Sequence, residues 1–120
     1  MTWFEKHLGE TLVATGVVHI IYCVATFRPE FAGIWRDGLI NTVPDRGERN
    51  EALWTTTNGA FMIAAGLLAR GHLRRTGVLP PAFGASLLAT ALAAGTLQPN
   101  SGAWLIGVQS LLALRRATAA

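Results

Sequence analysis

This chain predicts an all-α fold: a bundle of four transmembrane helices, with a short amphipathic helix at the membrane interface between the first and second. Three observations carry that expectation. Charged residues make up 14% of the 120 positions, against about 25% in ordinary soluble domains. Apolar residues reach 51%. No charge occurs between Arg75 and Arg115, and a soluble helical hairpin of that length would have to show water one face, so lipid or protein must cover it. The length suits one domain, read as a single integral membrane domain over 1–120.

The elements follow in order. The first span covers about 7–27 and closes before Arg28-Pro29, because Pro disfavours a helical residue ahead of it. The apolar stretch is long for a signal-peptide core and contains His19, and Met1 to Lys6 carries little positive charge, so it reads as a retained helix. The interfacial helix covers about 30–41: Phe31, Ile34, Trp35, Leu39 and Ile40 fall mostly on one face, with Arg36 and Asp37 elsewhere. The second span covers about 51–69 and is closed by Arg70-Gly71. Pro80-Pro81 is a first-turn signal for a third span over about 81–97. The fourth covers about 102–115, short for a bilayer of roughly 30 Å, and can extend into Arg115 and Arg116, whose long side chains snorkel.

Lys6, then Arg70, Arg74 and Arg75, then Arg115 and Arg116 fall on one side of such a topology. The other side mixes Arg28, Arg36, Arg46 and Arg49 with five carboxylates, and the Gln98–Gly102 turn is neutral. The positive-inside rule therefore predicts a multi-pass protein of the cell inner (plasma) membrane with both termini cytoplasmic. Trp3 suits the inner boundary, and Trp35, Trp54 and Trp104 the outer one. The net charge of +3 sits at helix ends rather than in one patch, which argues against nucleic acid. Small residues at helical spacing, Gly9 and Gly16, Gly59 and Gly66, Ala60 and Ala64, Ala85 and Ala89, Ala91 and Gly95, predict close helix contacts.

Polar residues within a bilayer are costly and are a default functional hypothesis. His19 and Tyr22 in the first span, Glu51, Trp54, Thr55 and Asn58 in the second, and Asn100, Trp104 and Gln109 around the fourth fall at similar depth when counted at about 1.5 Å per residue. They predict a polar pocket open to the outer surface, walled by Phe61, Met62 and Leu105. In its catalytic form His19 shuttles a proton, Tyr22 assists and Glu51 is the second acid–base group. Trp54, Thr55, Asn58, Trp104, Gln109 and Asn100 bind the ligand. The bland reading of His19 is a structural link between helices, that of Glu51 a dipole partner at a helix N-terminus, and that of Glu10 a headgroup contact or a pair with Lys6. The histidines fall at different levels and Cys23 is the only cysteine, so no metal site, disulfide, haem or other cofactor is expected.

Gly16-Val17-Val18-His19, Arg36-Asp37-Gly38-Leu39, Glu51-Ala52-Leu53-Trp54, Gly77-Val78-Leu79-Pro80 and Pro99-Asn100-Ser101-Gly102-Ala103-Trp104-Leu105 together resemble a family of small bacterial four-helix membrane proteins of unknown function. The last piece is the most specific. The resemblance implies the topology over nearly the whole chain and implies no activity. A composition rich in Ala, Gly, Leu and Arg also looks like that of a high-GC bacterium.

The expected function is binding of a small lipophilic molecule in that outward pocket, extending in the enzyme version to isomerisation, cyclisation or epoxide opening by proton transfer. The alternatives are a non-enzymatic module, meaning an oligomeric small transporter or a partner subunit, and a purely structural bundle. Membrane lipids, a lipophilic ligand and further copies of the chain are the expected partners.

Overall fold

The computed structural model describes residues 2–118. Among them the fold is all-α, with no strand. The helices are α1 (Trp3–Lys6), α2 (Leu8–Thr26), α3 (Arg28–Arg36), α4 (Glu48–Thr76), α5 (Pro81–Leu97) and α6 (Ala103–Thr118). The extreme ends of the expected 1–120 domain, and with them the termini, lie outside the described residues. α2 and α4 are long and apolar enough to cross a membrane, while α5 is apolar but shorter.

Three of the differences between the expected and observed helix bounds have a clear local reason. A short helix, α1, precedes the first span. It is opened by a capping box in which Thr2 Oγ1 accepts from the Glu5 N–H and Glu5 accepts from the Thr2 N–H. The interfacial helix stops at Arg36 rather than near 41, because Gly38, Leu39 and Asn41 all take positive φ and a right-handed helix cannot continue through them. α4 does not close at Arg70-Gly71 but runs on to Thr76, where Gly77, at φ +76°, supplies the left-handed stop that helices favour.

The chain packs as two compact units, Met1–Leu12 with Gly66–Ala120, and Val13–Ala65. In the second unit, α2 and α4 run antiparallel and touch through glycine. A Cβ on Gly16 would stand 2.6 Å from the Gly59 carbonyl oxygen, and one on Gly59 would stand 2.9 Å from the Gly16 oxygen. The same unit holds the connection after α3. Arg49 lies over Gly33, where a Cβ would meet its guanidinium at 2.5 Å. It donates to the Thr42 carbonyl at 3.0 Å and to Asp37 Oδ2 at 2.8 Å. That hydrogen bond, with the charges of Arg49 and Arg36, holds the Asp37 carboxyl below the usual range despite its partial desolvation.

In the first unit α5 packs on α6. Gly84 sits under Leu114, Gly95 under the Trp104 ring, and Gly107 faces Ala91. Gly9 lies against Gly66 and Arg70 in the same unit. Of the expected small-residue pairs, Ala91 and Gly95 are buried, whereas Ala60, Ala64, Ala85 and Ala89 are exposed.

Candidate functional site

Within the Val13–Ala65 unit, α2 carries His19 to a point where its Nε2 lies 2.9 Å from the Thr55 carbonyl oxygen. A carbonyl oxygen only accepts, so Nε2 carries the proton. Cys23 Sγ, one turn along α2 and fully buried, lies 3.5 Å from the same nitrogen. The imidazole thus ties α2 to the α4 backbone through Thr55. The other expected members in this unit are exposed: Tyr22 is 67% and Trp54 58% exposed, and Glu51 and Asn58 are exposed too. Asn58 is six residues past Ala52, in an eighteen-residue stretch to Ala69 that carries no charge. Among the described residues its amide has no hydrogen-bond partner.

Trp104, Gln109 and Asn100 belong to the other unit. Trp104 donates its indole N–H to the Pro99 carbonyl at 2.9 Å while its ring covers Gly95, so it closes the α5–α6 turn. Gln109 is buried and Asn100 is exposed in that turn.

Sequence reasoning missed a second locus. In the first unit α1, the start of α2, the end of α4 and the end of α6 surround a cleft of about 260 Å³. Its walls are charged. Glu10 does not pair with Lys6: its Oε1 lies 3.2 Å from Arg70 Nε and 3.6 Å from Arg74 Nη2. Glu5, buried, sets Oε1 3.2 Å from Arg115 Nε. The Thr2 N–H first of all, then its hydroxyl and the Arg115 charge, hold the Glu5 carboxyl below its ordinary value against the opposing effect of burial. His7 Nδ1 lies 2.9 Å from the Trp3 carbonyl, and its ring stacks on Trp3 at 4.5 Å. Arg116 is only 8% exposed, and its Nη2 donates to the Gly77 carbonyl at the end of α4. Its Nε is buried without a partner among the described residues. The available signal was the Arg70-Arg74 spacing of one turn, read above as topological charge alone.

No group of three or more His, Cys, Asp or Glu side chains stands together to hold a metal ion among the described residues. A family model described as a family of unknown function (DUF6463) matches residues 4–120. Neither the curated proteins nor the solved structures compared with the chain gave a match.

Proposed function

The chain belongs to this family of unknown function, DUF6463, and we propose that it is a four-span integral membrane protein that works as a self-associating, non-catalytic module. Support for the membrane comes from what the helices leave uncovered. Only 28% of the apolar stretch of α2 and 22% of that of α4 is buried in the protein. Ile21 is 64% and Leu68 74% exposed. A water-soluble domain does not leave so much aliphatic surface in water. α5 and α6, at about 25 Å each, complete the four crossings. The arginines at the ends of α4 and α6 and the neutral α5–α6 turn support a cytoplasmic side for both termini by the positive-inside rule.

The observation that carries self-association is Asn58. Glu51, Trp54, Asn58 and Phe61 lie on one exposed face of α4. About 10 Å below Glu51 at 1.5 Å per residue, the Asn58 amide faces hydrocarbon with no hydrogen-bond partner among the described residues. A carboxamide both donates and accepts, so two copies related by a two-fold axis satisfy one another. Intramembrane Asn contacts of this kind drive helix association. Trp54 and Phe61 flank the amide and add apolar area. The acid–base reading of His19, Tyr22 and Glu51 gains less support, since the His19 Nε2–H is spent on a backbone carbonyl and the other two face outward.

Light scattering on the protein in detergent is the test. The wild type is expected as a dimer, Asn58→Gln as a dimer, and Asn58→Leu dissociating about tenfold more readily, in line with the 1–2 kcal/mol of such bonds in model helices. A monomeric wild type, or an Asn58→Leu protein that dimerises unchanged, removes the reading.

A further inference from the structure

We propose that the cleft between α1, α2, α4 and α6 binds a phosphate oxyanion. This goes beyond self-association and does not depend on it. Four cations line the cleft: Lys6, Arg70, Arg74 and Arg116. The two carboxylates that line it cannot balance them. Glu10 is shared between Arg70 and Arg74, and Glu5 is engaged by Arg115 and by Thr2. No carboxylate of the described residues forms a salt bridge with Lys6 or Arg116.

Arg116 stands apart among these cations because it is buried. An arginine 92% removed from solvent, with one bond to a carbonyl and no carboxylate partner among the described residues, carries a desolvation cost that these contacts do not offset. Its Nε donor is buried and unmet. Arg70 Nε, in the same cleft, is likewise without a hydrogen bond, although Glu10 stands 3.2 Å away. The unmet Arg116 donor and an ammonium without a carboxylate partner among the described residues, around one cavity, call for an acceptor with several oxygens and no proton to offer. A tetrahedral phosphate has them, and arginine forks match its edges. The cavity, at about 260 Å³, has room for phosphate together with part of an ester. The phosphate can belong to a lipid headgroup, since the cleft lies at the end of the apolar stretch of α4, or to a soluble phosphate.

The experiment uses the purified full chain in detergent. Inorganic phosphate is titrated against chloride at matched ionic strength, and in parallel micelles are doped with phosphatidic acid or phosphatidylcholine and bound lipid is read by native mass spectrometry. Saturable stabilisation by inorganic phosphate assigns a soluble source. Selective retention of phosphatidic acid without a phosphate response assigns a lipid source. Either supports the site, provided that Arg74→Gln, an exposed wall residue, weakens it roughly tenfold, the loss expected for a charge-assisted hydrogen bond, without lowering the melting temperature. Arg116→Gln should abolish binding, and because it also loses the Gly77 contact, Lys6→Gln accompanies it as a variant whose ammonium forms no salt bridge with a carboxylate of the described residues. Phosphate and chloride acting alike while both lipids are retained alike overturns the proposal. So does binding that Arg74→Gln and Lys6→Gln leave unchanged.

Discussion

Glu5 shows how one side chain joins local and distant structure. It completes the cap of α1 and meets Arg115 on α6. Its carboxyl titrates below its ordinary value of 4.5. A carboxylate depressed in the folded state contributes stability that is full above the unfolded value and lost as pH falls through the folded one. Thermal melts in detergent are therefore expected to drop on acidification below about pH 4.5, and Glu5→Gln is expected to flatten that part of the profile. A Glu5→Gln profile as steep as that of the wild type would refute the assignment. Little of this was legible. Lys6 is the near neighbour of Glu10 in sequence, and the spacing favours that pair, but the carboxylate goes to Arg70 and Arg74 because α2 and α4 approach at Gly9 and Gly66. His19 was more legible. Its structural alternative needed only a partner on another helix, and that partner proved to be the Thr55 backbone, which no residue identity could announce.

At the scale of the element, glycine spacing was the most readable signal. Gly16 and Gly59 stand out within apolar helices, and they meet backbone to backbone. Replacing Gly16 with Ala drives a methyl to 2.6 Å from the Gly59 oxygen, and a backbone oxygen cannot swing aside. The expected loss is about 1–3 kcal/mol, read as a lower midpoint in denaturant titration. Gly71→Ala is the matched control: nothing lies within 4 Å of the added atom, so the change should be neutral or slightly stabilising through helix propensity. Helix ends were less readable. The stop of α3 depends on positive φ at Leu39 and Asn41 as well as Gly38, and a leucine in that region cannot be anticipated from an amphipathic pattern. α4 runs on past Gly71 because its stop comes from Gly77 at positive φ; a glycine inside the helix is not by itself an end.

For the whole molecule, the direction of insertion is the property with the clearest test. The four crossings proposed above put the α5–α6 turn and the end of α4 in opposite compartments. In intact cells a membrane-impermeant maleimide should label Ser101→Cys and spare Arg75→Cys, with buried Cys23 silent in both. The reverse pattern, or labelling of both, overturns the topology. The all-α class was legible from the long charge-free stretch alone. The charged cleft was not, because its members come from sequence positions as far apart as Glu5 and Arg116, and only folding shows that cations placed at helix ends also face one cavity.

The Glu5–Arg115 pair has one more consequence, and it concerns the order of manufacture. The Val13–Ala65 unit is continuous in sequence, so every residue it needs has left the ribosome once Ala65 has. The other unit joins residues 1–12 to residues from Gly66 onward, and its Glu5–Arg115 link joins segments made more than a hundred residues apart. A newborn chain therefore passes through a stage in which Glu5 is made but has no arginine from α6 to meet, and that stage lasts until α6 has been synthesised.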